Sequence, residues 1–243
     1  MKLLIVGTGA LAEQAGRLAQ ASSAVDGFEI WNGTGAMPAA DRVLPATRDE
    51  SVLKTLEDAR SLFDPAAWAL TSSRLGADAF LQERGFPVPA YFPGGSEPYI
   101  VKPDRGGAGK GIWVTEDFCE VGGAVNAGFV TQEEMSGPVW SVAVTGRAGD
   151  YTVHAPARLD FVGRRRAGAV CEAAPSEASL TGLAADVAGA IGMRGILEVE
   201  AIWSRNAWWI TDLNARLPLY TPDAVLKATG VNLLDEIIRA FAP

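Results

Sequence analysis

Four side chains in the stretch EAIWSRNAWWITDLNAR, residues 200–216, have the types and spacing for metal–phosphate chemistry: Glu200, Asp212, Asn214 and Arg216. Magnesium takes hard oxygen ligands and few protein contacts when substrate phosphates fill its remaining positions, so two carboxylates and an amide with a cation beyond them suit a magnesium–nucleotide site. Residues 197–203 and 207–213 read as strands joined by a turn at Ser204, Arg205 and Asn206, an antiparallel hairpin. Side chains two apart on a strand share a face, so Asp212 and Asn214 point together and Arg216 continues their line. Pairing about the turn brings Glu200 within reach of Asp212. An ordinary hairpin with one solvated face has the same alternation. Against that reading, Ile202, Trp203, Trp208, Trp209 and Ile210 make the hairpin too apolar for a surface ribbon, and polar groups set among them need partners that a metal would supply.

A second set of residues suits phosphate and base. Strand 99–103 carries Lys102, and the loop 104–111 holds Gly106, Gly107, Gly109 and Gly111 with Lys110 before the chain returns at 112–114. Glycines let backbone amides approach phosphates, and the two lysines add charge. No G-K-[ST] opens a helix, so this is not a P-loop, and a glycine-rich flap with nothing bound reads the same way. Residues 129–135 read as a strand that breaks at Ser136-Gly137-Pro138, where exposed backbone groups could pair with an adenine edge while Met135 packs on the ring. Residues 161–168 read as a loop whose Arg164, Arg165 and Arg166 either recruit an anionic substrate or simply face solvent.

The elements that position these residues follow an α/β order. Strand 2–6, the turn Gly7-Thr8-Gly9 and helix 11–20 open a Rossmann-like unit. As a dinucleotide site it lacks the ribose-binding acid, because strand 28–31 ends in Trp31-Asn32; the turn then packs or meets a small substrate. Strand 42–44 and a helix over 49–62 complete the unit. A helix opened at Ser73 runs to Arg84 and stops at Gly85, with an extended linker at 86–89. Strands at 139–145 and 151–160, a helix over 176–192 and a last helix from Asn232 close the chain, with no internal repeat.

At 243 residues, 48% apolar and 21% charged, the chain can bury a sizeable core. Its net charge of −8 disfavours a nucleic-acid partner. No apolar run is long enough to span a bilayer, and MKLLIVGTG reads as strand and turn instead of signal peptide, so the expected location is cytoplasmic. The two cysteines have no metal or redox spacing, and a single histidine without a nucleophile elbow gives no triad.

Taken in order, SRLGADAFLQERGFPVP, YIVKPDRGGAGKGI, FVTQEEMSGP, GILEVEAI and ITDLNARLP resemble the ATP-grasp superfamily from about Asp41 to the C-terminus. The closing DLNARLPLYTPDAVLKATGVNLL is similar to the branch containing the lysine ligase of pyrrolysine biosynthesis and related carboxylate–amine ligases. The resemblance implies an ATP-grasp fold with a small pre-grasp domain at 1–68 and an ATP-grasp domain at 69–243, its lid at about 90–135 and its metal-binding sheet at about 136–243. It implies ATP and two magnesium ions, with manganese as the alternative ion. Lys102 would contact adenine and the α-phosphate, and Arg74 would stand where the family has a phosphate-binding lysine. Gly106, Gly107, Gly109 and Lys110 would cover the phosphates, and Gln132, Glu133 and Met135 would meet adenine. Glu200, Asp212 and Asn214 would hold metal, and Arg216 would steady the acyl-phosphate or the tetrahedral intermediate. The implied reaction joins a small carboxylate to an amine through an acyl-phosphate, with a homodimer as a common family form. Two other functions fit parts of the sequence: a non-catalytic nucleotide-binding subunit, given the short first domain, and a nicotinamide-dependent oxidoreductase using Gly7 and Gly9.

Overall fold

A computed structural model of the chain describes residues 1–47, 49–56, 60–106 and 109–242. The first unit comprises β1 (Lys2–Val6), α1 (Ala10–Gln20), β2 (Gly27–Trp31), β3 (Arg42–Pro45) and α2 (Glu50–Lys54). Its sheet is parallel in the order β2-β1-β3. Leu3, Leu4, Ile5 and Val6 are all fully buried, as expected of a central parallel strand covered on both faces. The helix expected over 49–62 is shorter: α2 ends at Lys54, and the chain returns to the sheet, where Val43 takes its bonds with Arg60 O (3.0 Å) and the Leu62 amide (2.7 Å). Residues needed to extend the sheet edge cannot also close helical turns.

Next come α3 (Pro65–Thr71) and α4 (Arg74–Glu83). Asp64 caps α3, accepting from the amides of Ala66 and Ala67, with Pro65 in the first turn, and Ser73 caps α4 by accepting from Gly76 N. The antiparallel sheet β5-β4-β6 is built from β4 (Tyr99–Lys102), β5 (Trp113–Thr115) and β6 (Val130–Glu133), with α5 (Phe118–Asn126) crossing between them. That helix is absent from the sequence expectation; Asp117 caps it.

The largest sheet holds β7 (Val139–Arg147), β8 (Asp150–Val153), β9 (Ala157–Val162), β10 (Arg165–Cys171), β11 (Gly195–Ser204) and β12 (Ala207–Asn214), in the order β10-β9-β7-β11-β12 with β8 also paired to β7. Packed on it is α6 (Glu177–Ile191), through Leu180, Ala184, Val187 and Ala188. The chain ends with α7 (Thr221–Thr229) and α8 (Leu233–Ala240). The sequence expectation had α8 but no helix just before it; Pro222 occupies the first turn of α7, where its missing N–H costs nothing. It also placed 161–168 in a loop. The structure instead continues β9 to Val162, turns at Gly163 (φ 60°) and starts β10 at Arg165.

The small first unit shares its core with the rest of the chain: Leu3, Ile5 and Leu18 pack with Val225, Leu233, Leu234 and Ile237, and with Ala143 and Ile196 of the large sheet. Buried Asn232 joins the two parts, accepting from Leu234 N (3.0 Å) as the cap of α8 and donating to Leu18 O (2.8 Å) at the end of α1. Replacing Asn232→Ala removes both bonds and should lower stability by about 1–3 kcal/mol, read as a lower urea midpoint.

Candidate active site

The β11–β12 hairpin folds as its sequence requires. Ser204 pairs with Ala207, leaving a two-residue loop in which Arg205 (φ 52°) and Asn206 (φ 58°) are both left-handed, the conformation whose twist matches paired strands. Counting back from that pair would set Glu200 opposite Thr211, yet it stands opposite Asp212, with Glu198 opposite Asn214. Ala201 pairs with Ile210, so Thr211 is an extra residue on β12. Such a bulge bends the strand and re-aims its groups. Here the Thr211 carbonyl accepts from Lys102 Nζ at 3.3 Å, which ties the lysine of β4 to the acidic strand.

Glu198 (2% exposed) and Glu200 (3% exposed) are buried on one face of the sheet, with Asp212 close by. Uncompensated, the two buried carboxylates would cost several kcal/mol each, and half-buried Asp212 somewhat less. The compensation comes from different parts of the chain. Arg74 of α4 lies 3.5 Å from Asp212, and the guanidinium of Arg166 bridges Glu200 and Asp212, with the latter 3.6 Å away. Glu198 accepts from Ser141 Oγ and Thr221 Oγ1, each at 2.8 Å, and from Asn214 Nδ2 at 3.1 Å. The two acids facing the cleft diverge. Burial pushes the Glu200 carboxyl up to about 8, opposed by Arg166 and reinforced by its acidic neighbours Glu198 and Asp212. Burial also acts to raise Asp212, but Arg74, Arg166, Lys102 and Arg216 together hold it below the usual carboxylate range. Burial lowers the Lys102 ammonium, against the attraction of Asp78 and Asp212.

Two clefts meet at this cluster. One of about 270 Å³ runs from Ile100, Gln132 and Met135 to Lys102, Arg166, Glu200 and Asp212. The other, of about 320 Å³, is bordered by Trp68, Thr71, Asp104, Arg105, Asn214 and Arg216. Arg74 and Asp212 line both. Lys102, Gly109, Gln132, Glu133 and Met135 thus border the first cleft, and Gly106 lies near the second. Gly107 lies outside the described residues, and Lys110 is exposed and lines neither cleft. Gly109 (φ 73°) comes so close to the β9–β10 turn that a Cβ would sit 2.1 Å from Arg164 O, so the glycine loop and the arginine hairpin meet over the cleft.

Several expectations are refined. The backbone N–H groups of Glu133 and Glu134 are already used, donating to Ala90 O (2.9 Å) and Pro98 O (2.8 Å), and the Glu133 carboxylate accepts from Arg205 at 3.1 Å. The three arginines divide: Arg164 pairs with Glu134 at 3.3 Å on the rim, Arg165 is exposed, and only Arg166 reaches the buried acids. Asn214 turns its Nδ2 toward Glu200 Oε1 (3.2 Å) while its Oδ1, the atom suited to a cation, accepts from Arg216 Nη2 at 2.8 Å. Gly7 and Gly9 border neither cleft; a Cβ at Gly7 would lie 2.2 Å from Ala46 O, so close backbone packing accounts for that glycine. Sequence reasoning passed over Glu198, although the alternation Glu198-Val199-Glu200 places it on the acidic face, and over Asp78, which has no local signal.

A magnesium ion fits this donor set. Glu200 and Asp212 already share one cation, the Arg166 guanidinium, between hard oxygen atoms. Among the described residues no group of three or more His, Cys, Asp or Glu side chains has metal-site spacing, so phosphate oxygens would supply the remaining ligands.

The ATP-grasp domain model matches residues 71–218, more than half of the sequence, and includes Arg74, Lys102, Arg166, Glu198, Glu200, Asp212, Asn214 and Arg216. The chain belongs to the ATP-grasp family. It is 27% identical over 207 residues to the 3-methyl-D-ornithine–L-lysine ligase of Methanosarcina acetivorans and 24% identical to that of Methanosarcina barkeri, in each case covering 83% of this chain and 56% of the relative. It thus spans about half the length of the curated relatives it matches. Among solved ATP-grasp structures, the ADP complex of N5-carboxyaminoimidazole ribonucleotide synthetase aligns with a TM-score of 0.79 at 19% identity, over 98% of this chain and 76% of the other. The D-alanine–D-alanine ligase of Bacillus anthracis aligns with a TM-score of 0.73 at 15% identity, over 99% and 97%. These likenesses show the ATP-grasp fold. Replacing Gly109→Ala should prevent the flap from seating on the arginine hairpin, so amide hydrogen exchange across 161–166 should become several-fold faster.

Proposed function

We propose that this chain is an ATP-dependent carboxylate–amine ligase that joins two small amino-acid-like substrates through an acyl-phosphate. The observation that carries the reading is the meeting of two clefts at Arg74 and Asp212, one suited to a nucleotide and the other open to a second reactant. Residues 1–68 would act as the pre-grasp domain, 90–135 as the lid and 136–243 as the metal-binding sheet. The curated relatives' names, which describe the joining of two amino acids, support the substrate class.

In this reading adenine lies against Met135 and Gln132, and Lys102, Arg74 and Arg166 hold the phosphates. Glu200, Asp212 and Asn214 would bind magnesium, two ions in all, which supplies charge neutralisation on the transferring phosphoryl group. A substrate carboxylate oxygen attacks the γ-phosphorus, ADP leaves, and an acyl-phosphate forms. An amine nitrogen then attacks the acyl carbon, loses a proton, and the carbon–oxygen bond to phosphate breaks to give the amide. Arg216, beside the second cleft and fixed by Asn214 and the Leu217 carbonyl (3.2 Å), is placed to balance negative charge on the acyl oxygen.

The test is ADP release with magnesium and pairs of amino acids. Some pair should give ADP, phosphate and a new amide in equal amounts. Arg216→Ala should lower kcat about a hundredfold while leaving ATP affinity within a few-fold. ATP binding without ADP release from any pair would overturn the ligase reading and leave a nucleotide-binding subunit.

A further inference from the structure

The nucleotide cleft contains a buried acceptor with nothing to accept from. Gln132 is 1% exposed and lines the cleft, and its Oε1 has no hydrogen-bond partner among the described residues. Leaving a buried polar atom unpaired is costly, so such an atom beside a cavity marks the place of a ligand donor.

The orientation of the amide is fixed from outside the cleft. Nε2 donates to Asp78 Oδ2 at 2.9 Å and to Pro89 O at 3.4 Å, so both amide hydrogens point away from the free side. Tyr91 Oη donates to the same Asp78 oxygen at 2.6 Å. Whether Asp78 is ionised or protonated on its other oxygen, Oδ2 accepts, and an amide turned end for end would set oxygen against oxygen. Asp78 is itself 7% exposed on α4, 54 residues from Gln132 in sequence.

We propose that Asp78 and Tyr91 act as positioning residues that lock Gln132 with its carbonyl oxygen toward the base, so that the site selects a nucleoside triphosphate whose purine carries an exocyclic amine at its six-position. Adenine offers that N–H at its six-position. Guanine and hypoxanthine present a carbonyl oxygen there, which would face Oε1 without a proton between them. This inference rests on the nucleotide reading of the cleft, and it adds that the choice of base is set by a side-chain amide held by α4.

Calorimetric titration of the full chain with ATP, GTP and ITP, each with magnesium, tests it. The wild-type protein should favour ATP over GTP and ITP by on the order of ten- to a hundredfold. Asp78→Asn keeps the shape but can present either an acceptor or a donor to Gln132, so the amide is free to turn. The ATP-to-ITP preference should then fall about tenfold, while changes at the phosphate end affect all three nucleotides alike and cancel in the ratio. Tyr91→Phe, which removes one of the two donors on Asp78 Oδ2, should narrow the preference by a smaller factor and serves as the test if Asp78→Asn does not fold. An unchanged preference in a folded variant, or equal binding of all three nucleotides by the wild type, would overturn the proposal. Failure to bind any nucleotide would instead overturn the nucleotide reading beneath it.

Discussion

Two carboxylates buried on one sheet face, with a third half-buried beside them, are the constraint on which the structure depends. Glu198, Glu200 and Asp212 cannot be tolerated there unless cations and hydrogen-bond donors surround them. Arg74 arrives from α4, Lys102 from β4, and Arg166 from β10, while Ser141, Asn214 and Thr221 satisfy Glu198. Each partner comes from a different element. The packing of the two antiparallel sheets and α4 around the hairpin is thus a condition of burying those acids, and the clefts are the space left where the cations converge.

The same arrangement explains why two cavities meet in one place. Arg74 stands at the N-terminal turn of α4, where it donates to Pro103 O at 2.7 Å, and Asp104 accepts from Ser73 Oγ (2.8 Å) and Leu75 N (2.9 Å). The glycine loop is thereby tied at its root to the helix that supplies a cation, while its tip meets the arginine hairpin at Gly109. A loop fixed at one end and packed at the other can cover bound phosphates without losing its register.

Much of this was legible in the sequence because it is local. The hairpin followed from alternation about the turn at Ser204, Arg205 and Asn206, and the nearness of Glu200 to Asp212 followed from pairing its strands, whereas their direct opposition depends on the bulge at Thr211. What escaped was non-local or was overridden. Three arginines between glycines read as a loop, yet pairing with β9 makes Arg165 and Arg166 part of β10, and only that register sends Arg166 to Glu200. The helix after Asp49 stopped early because Arg60 and Leu62 were needed beside β3. Asp78 is an unremarkable residue on a helix until folding brings it to Gln132, which no spacing rule could indicate. The bulge at Thr211, which links Lys102 to the acidic strand, likewise has no signature in ITDLN.

The central claim is that the acidic face of the hairpin holds a metal–nucleotide complex, and calorimetric titration with ATP in the presence and absence of magnesium, on the wild type and on Asp212→Ala, tests it most directly. The account predicts binding that strengthens markedly with magnesium in the wild type and loses most of that gain in the variant. ATP affinity that ignores magnesium, or that is the same in both proteins, would contradict it and leave the buried acids with a purely structural part.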